Sequence, residues 1–332
     1  MHVLRGGHVV DVDGVREADV AIDEGRIVAV GEVDVEEDDT ETDVSGQFVA
    51  PGLIDAHVHL MMDGRPDVTT IQGESEATAA YRTTANLEAA LDAGVTTVRD
   101  LGARDSLALD AARAVEAGVV AGPRVLAAGQ NVVMTGGHGH WFGCEADGET
   151  AVRRAAREQL KRGADVVKCM ATGGVLTEGA KTGLPELTPD ELTALVDAAE
   201  GKAVPTAAHA HGRQGIENAV RAGITSVEHG TFMDRETAEL MADHGTYWVP
   251  TTAALVGIVD NGVEAGIPEE AVAKAEDAAD AHEKAFEYAL DAGVPIAMGT
   301  DAGTPFNFFA DIPRELELLV DRGLTPEQAL EA

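Results

Sequence analysis

The sequence predicts an α/β fold, a (β/α)8 barrel following a small β unit, and two observations carry the prediction. From about residue 52 onward an Ala-rich helical stretch, a glycine and a short apolar strand recur in series. Before that point only short alternating segments with turn punctuation are found. The length of 332 residues suits one barrel of roughly 250 residues plus an appendage.

The first segment, residues 1–51, reads as strands. HVVDVDG (8–14) and ADVAIDEGRIVAVGEV (18–33) alternate apolar and polar residues around an Asp-Gly and a Glu-Gly turn. Residues 52–332 form the second segment. GLIDAHVHL (52–60) opens it, and the repeated join follows at 91–102, 116–129, 161–174, 201–212, 221–230, 243–250 and 291–303. That makes eight apolar strands. Segments 150–162, 188–200, 212–222 and 234–243 read as helices between them. The glycine at each join fits a left-handed helix C′ position. Eight βα units in series, with polar residues placed at strand ends, favour a closed TIM barrel over a doubly wound open sheet. No linker separates the segments, so they are expected to share an interface.

Composition excludes several classes. No apolar run reaches the ~18 residues of a membrane span, and MHVLRGGHVVDVDG has no secretory pattern. Cys144 and Cys169 are too few for a disulfide framework, which points to a reducing, cytoplasmic setting. The formal net charge is -35, from 59 acidic against 24 basic residues. Such a surface repels nucleic acid and anionic membranes. With only Lys161, Lys168, Lys181, Lys202, Lys274 and Lys284 as lysines, the composition resembles that of extreme halophiles. Acidic runs such as 32–43 are then solvated faces.

The chemistry lies at strand ends. His57 and His59 close the first strand, Lys168 the fourth, His209 the fifth, His229 the sixth and Asp301 the eighth. Strand C-termini of a barrel converge on one mouth. Residues i and i+2 face the same way, so His57 and His59 can grip one ion. Imidazole and carboxylate suit zinc and its neighbours. Lys168 sits among Val166, Val167, Cys169 and Met170; a buried lysine of lowered pKa can take up CO2 as a carbamate, which can bridge two metals.

In this pattern the chain resembles the amidohydrolase superfamily. PGLIDAHVHL (51–60), MTGGHGH (134–140), VVKCMATGGV (166–175), AAHAHG (207–212), VEHGT (227–231) and GTDAG (299–303) are most similar to the imidazolonepropionase-related branch, which includes metal-dependent Xaa-Pro dipeptidases. The resemblance covers almost the whole chain. It implies two divalent ions, expected to be zinc, bridged by carboxylated Lys168 and a hydroxide. His57, His59 and Asp301 hold one ion, and His209 and His229 the other. Asp301 doubles as the proton carrier. His138 orients substrate or stabilises the oxyanion, with His140 as second candidate. His209 and His211 both could face inward; the family pattern makes His209 the ligand. Members usually continue past LTPEQALEA into strands that complete a β-sandwich. This sequence ends at Ala332, so its N-terminal strands are expected to lack those partners; either it is a fragment or truncated product, or the exposed edges are covered another way, for which oligomerisation is one route.

The function expected is hydrolysis of an amide bond in a dipeptide or N-acyl amino acid by a metal-bridging hydroxide, in a homo-oligomer acting on a small molecule. Cyclic-amide hydrolysis of the imidazolonepropionase kind, lactonase or phosphotriesterase activity, deamination and an inactive scaffold are the alternatives. Lys168 argues against deamination, and the complete ligand set against the scaffold. Trp141, Phe142, Tyr247 and Thr251 are candidates to line the pocket; Arg99, Arg104 and Lys181 are candidates to meet a substrate carboxylate, with nothing in the sequence selecting one of them. Cys169 is expected to face the helices. Cys144, His2, His8, His244 and His282 read as structural or surface residues.

Overall fold

Period-two alternation makes the N-terminal segment a sheet. The computed structural model describes residues 1–11, 14–179 and 181–332, and the chain divides into two compact units. The first comprises Met1–Gly52 with Leu324–Glu331. In it β1 (His2–Asp11), β2 (Gly14–Asp23) and β3 (Arg26–Gly31) form an antiparallel meander. β4 (Thr40–Asp43) and β5 (Phe48–Val49) pair in parallel with β1. Glu24 and Gly25, with φ of 46° and 74°, give the two-residue type I′ geometry that suits a hairpin. The Asp-Gly turn expected at Gly14 involves Val12 and Asp13, which lie outside the described residues. Val3, Val9, Val20 and Ala21 are buried, whereas Ile27, Val28 and Val30 of β3 are exposed.

The second unit, Leu53–Gly323 with Ala332, holds β6 (Leu53–Val58), β7 (Val95–Asp100), β8 (Arg124–Ala127), β9 (Val132–Val133), β10 (Cys144–Glu145), β11 (Val167–Met170), β12 (Thr206–Gly212), β13 (Ser226–Phe232) and β14 (Tyr247–Val249). All their pairings are parallel, in the orders β6-β7-β8 and β10-β9-β11-β12-β13-β14. Further backbone bonds join these sheets. Asp165 N donates to Ala127 O (2.9 Å) beside β8, and Ala297 N donates to Trp248 O (2.9 Å) beside β14. Ala56 N then donates to Met298 O (2.9 Å), and Asp301 N to His57 O (2.7 Å), which returns the path to β6. The predicted eighth strand is not a regular one: it pairs only through bridges at Ile296 and Ala302. Pro295 has no N–H to give a ladder, and Asp301 leaves the extended region at φ 61°.

Helices α1 (Glu76–Asp92), α2 (Leu107–Glu116), α3 (Glu149–Arg162), α4 (Pro189–Glu200), α5 (Arg213–Arg221), α6 (Arg235–His244), α7 (Thr252–Asn261), α8 (Glu269–Ala292) and α9 (Arg314–Asp321) connect the strands. Their apolar stripes face the sheet: in α5, Ile216, Ala219 and Val220 are fully buried at i, i+3 and i+4. Burial of each larger aliphatic side chain stabilises by about 1.5–3 kcal/mol. β11, β12 and β13 are buried almost throughout, as strands covered on both faces must be. Gly163 (φ 98°) and Gly293 (φ 73°) end α3 and α8 in the predicted left-handed conformation. The join after α4 differs. Gly201 stays right-handed at φ -62°, and Ala203 takes the left-handed position two residues later at φ 54°.

Candidate metal centre and active site

The site is built on the ends of β6, β11, β12 and β13 and the turn after residue 298. Alternation puts Asp55 and His57 on one face of β6, with His59 just past its end. Asp55 is buried and ties this strand to the turn that carries Asp301: it accepts from His57 N (2.9 Å), Thr300 N (3.1 Å) and Thr300 Oγ1 (2.6 Å). Asp100, at the end of β7, does the same for the next turn by accepting from Leu60 N (2.8 Å) and Gly102 N (3.0 Å).

Three non-glycine residues around the centre are left-handed: His229 (φ 69°), Thr251 (φ 53°) and Asp301 (φ 61°). Each such residue costs of order 1–3 kcal/mol and persists where neighbours hold it. At His229 the kink breaks alternation along β13, so Glu228 and His229, adjacent in sequence, both turn into the site. Trp248 Nε1–H pins the kink by donating to His229 O (2.9 Å).

Hydrogen bonds fix which ring nitrogen of each histidine is bare. His57 Nδ1–H donates to the Glu228 carboxylate (2.9 Å), which Arg99 (3.1 Å) and Ser226 Oγ (2.6 Å) also hold. His59 Nδ1–H donates to Gly102 O (2.8 Å), a group that can only accept. Thr251 Oγ1 gives its one proton to Pro250 O (2.7 Å), so it accepts from His229 Nδ1–H (2.7 Å). All three rings therefore turn an unprotonated Nε2 inward.

Those bare atoms face another acceptor. Asp301 Oδ1 lies 3.4 Å from His57 Nε2 and 3.3 Å from His59 Nε2. With Asp301 ionised, lone pairs stand against lone pairs, an arrangement that a bound cation relieves. Ligand atoms of His57, His229 and Asp301 lie within 4.8 Å of one another, as do those of His209, His211 and His229. Lys168 Nζ, His209 Nε2 and Asp301 Oδ1 are buried without a hydrogen-bond partner. The residues present thus fit a divalent metal centre, and ligating histidines whose Nδ1–H is tied to a carboxylate or carbonyl are its usual support.

Burial sets the electrostatics. It holds His57, His209 and His229 well below the ordinary imidazole range, and lowers His59 to about 4 and His138 and His211 to about 3. All are neutral at pH 7, the form that binds metal. Burial also pushes Asp301 up and Lys168 down, the latter favouring the uncharged amine that carbamate formation needs.

A cavity opens above these groups. Trp141, Phe142, Leu176, Leu255 and Ile258 give it apolar walls, with His138, His211 and Thr251 also lining it. The His138 ring lies 4.4 Å from that of His209, and its backbone N–H is held by Glu186 (2.9 Å). Several predicted groups are elsewhere. His140 is exposed with its ring on Gly137 O (2.9 Å), because the turn carrying His138 inward sends its i+2 neighbour out. Tyr247 is 48 % exposed at the start of β14. Arg99 is spent on Glu228 and on Ala56 O (2.6 Å). Arg104 lines a separate small cleft and Lys181 a surface groove. Cys169 is buried outside the cavity lining, its thiol pushed up to about 12 by desolvation.

The amidohydrolase family profile matches residues 48–332. The chain belongs to the amidohydrolase family. An Aspergillus niger ochratoxinase is 32 % identical over 99 % of this chain and 74 % of its own. A crystal structure of a prolidase complexed with N-methylphosphonate-L-proline is 32 % identical, with a TM-score of 0.92 over 99 % of this chain and 84 % of that one. A Xaa-Pro dipeptidase with bound methionine in its active site is 30 % identical, with a TM-score of 0.92 over 99 % of this chain and 86 % of that one. This amidohydrolase is accordingly a hydrolase acting on carbon–nitrogen bonds.

Sequence reasoning missed Asp55, Asp100, Glu228 and Glu315 in this amidohydrolase, and gave Arg99 and Thr251 other duties. Asp55 carried a usable signal, since it lies two residues before His57 on one strand face. Glu228 carried none, because strict alternation sends it away from His229.

Proposed function

We propose that this amidohydrolase uses a binuclear metal centre, zinc being the best match to its donors, to cleave an amide bond in an N-acyl amino acid or dipeptide whose acyl side is bulky and apolar. The architecture proposed is a (β/α)8 barrel over residues 52–332, with residues 1–51 forming part of a composite β-sandwich. The observation that carries the chemistry is the meeting of two bare imidazole nitrogens and the unpaired Asp301 Oδ1 beneath an apolar cavity. His57, His59 and Asp301 would hold one ion and His209 and His229 the other, with carboxylated Lys168 as a further anionic ligand and His211 lining the same site. Metals bound there would supply a nucleophilic oxygen near neutral pH and a Lewis acid for the scissile carbonyl.

The remaining steps belong to the chain. Asp301 takes the proton from the attacking oxygen and returns it to the amine nitrogen as the C–N bond breaks and the C–O bond forms. Its raised affinity for protons, caused by burial, suits that duty. Neutral His138, at the cavity wall, is placed to donate a hydrogen bond to the substrate carbonyl oxygen. Trp141, Phe142, Leu255 and Ile258 exclude water and favour an apolar acyl group. The prolidase and Xaa-Pro dipeptidase among the similar structures support a substrate ending in an amino acid.

The test is amine release in molar KCl with zinc and bicarbonate. Benzoyl- and phenylacetyl-amino acids are expected to exceed their acetyl counterparts in kcat/KM by at least about tenfold. Lys168→Ala and Asp301→Ala are expected to lose on the order of 10²–10⁴-fold. A folded, zinc-loaded protein that releases no amine from any member of the set overturns the proposal.

A further inference from the structure

α7 begins without the cap its sequence offers. Thr251 is its N-cap residue, and a threonine there ordinarily accepts from the N2 or N3 amide. Here it makes no such bond. Its hydroxyl points the other way, to Pro250 O (2.7 Å) and His229 Nδ1 (2.7 Å). The exposed amides of the helix are instead taken by a distant side chain. Glu315, on α9 and fully buried, accepts from Thr252 N through Oε1 (2.8 Å) and from Ala253 N through Oε2 (2.7 Å). A carboxylate at a helix N-terminus also gains from the helix dipole.

We infer that Glu315 is a positioning residue for the metal centre: by capping α7 in place of Thr251, it frees the threonine hydroxyl to orient His229. Thr251 is thereby held left-handed at φ 53° and ψ 47°. His282 Nε2–H supports the same turn by donating to Pro250 O (3.0 Å). His229 then has one partner for Nδ1–H and one direction for its bare Nε2. Without the carboxylate, the orphan amides of α7 need another acceptor, and the hydroxyl of the N-cap residue Thr251 is the group that ordinarily serves. It swings back to cap the helix, and His229 loses its partner. The inference rests on the reading of His229 as a metal ligand.

The experiment compares Glu315→Gln, which keeps size but sets an N–H₂ group against a backbone N–H, with Thr251→Val and the double variant. Zinc affinity is measured by chelator competition. Glu315→Gln is expected to weaken zinc binding about 10- to 100-fold, the effect usual for the outer partner of a ligating histidine. In the Thr251→Val background the same change is expected to cost less than about twofold, because the two act through one bond. A merely structural role would lower the thermal midpoint and leave the two affinity losses multiplicative. A second measurement needs no Glu315 variant: ¹⁵N spectra of the metal-free wild type are expected to show His229 as the Nδ1-protonated tautomer. An Nε2-protonated His229, wild-type zinc affinity in Glu315→Gln, or multiplicative losses each overturn the inference. His229→Ala separates the two readings. Undiminished zinc binding in that variant overturns the metal-centre assignment, while loss there and retention in Glu315→Gln overturns the capping relay.

Discussion

His57 and His229 present the same atom to the centre and are held there by opposite means. His57 leans on charge: its Nδ1–H meets Glu228, a fully buried carboxylate locked by Arg99 and Ser226. His229 leans on backbone geometry: its partner is one neutral hydroxyl on a left-handed threonine, held in place by a helix that another side chain caps. A buried charge network is strong while complete and costly when broken. A single hydroxyl is weaker but can be lost without stranding a charge. The two halves of one site should therefore fail in different ways.

Glu228→Ala is the most damaging way to break the first half. It leaves Arg99, only 15 % exposed, without its carboxylate, and His57 without an acceptor. Removing one partner of a buried ion pair costs about 3–5 kcal/mol. The urea midpoint of the metal-free protein is expected to fall accordingly, and zinc affinity with it. Glu228→Gln, which retains an acceptor for His57, is expected to lose much less zinc affinity than Glu228→Ala. Equal losses in the two variants would show that His57 does not depend on this bond.

How far the sequence could be read follows the same division. The αβ repeat was legible because apolar strand runs and glycine stops recur in register, and four predicted helices match α3 to α6 to within a residue or so. The strand-end residues were legible because His57, Lys168, His209 and Asp301 interrupt otherwise apolar runs. Their supports were not. Glu228 becomes an inward residue only because His229 adopts φ 69°, a conformation no histidine advertises. Glu315 sits in RELELLVD, one acid among 59 in a chain whose acidic residues are mostly surface. Arg99 and Thr251 stood out, but which group each would meet depends on strands and helices far apart in sequence.

Burial makes the second half answer to pH. Desolvation raises Glu315 to about 7 from its ordinary 4.5, against the lowering effect of the Ala253 and Thr252 amides. The folded state therefore holds a proton that the unfolded state releases between those values. The stability this contributes is fully present below about 4.5 and is lost as pH rises through about 7. The shift corresponds to roughly 3 kcal/mol across that window. The difference in urea-unfolding free energy between wild type and Glu315→Gln is expected to shrink from pH 5 to pH 8 in the metal-free protein. A difference that stays constant would mean that Glu315 does not change its protonation state on folding.

The smallest effect is expected where one neutral bond is removed and nothing charged is stranded. Thr251→Val keeps the shape and β-branching of the residue, so the left-handed turn and the capping of Thr252 and Ala253 by Glu315 should persist. What disappears is the acceptor for His229 Nδ1–H and the donor to Pro250 O, which still receives His282. One such bond is worth about 0.5–1.5 kcal/mol, and the unpaired buried N–H adds to the loss, for about 1–3 kcal/mol in all. Freed from its partner, the His229 ring can invert its tautomer and turn Nε2–H toward the centre. Zinc affinity should therefore fall more than the small stability loss suggests, and by a factor that leaves the Glu228-supported half intact. The decisive readout is stoichiometry: one zinc retained tightly and one loosened in Thr251→Val, with the His57-held ion the one loosened most in Glu228→Ala. If both ions loosen equally in Thr251→Val, the two halves do not fail separately, and His57 and His229 answer to one network.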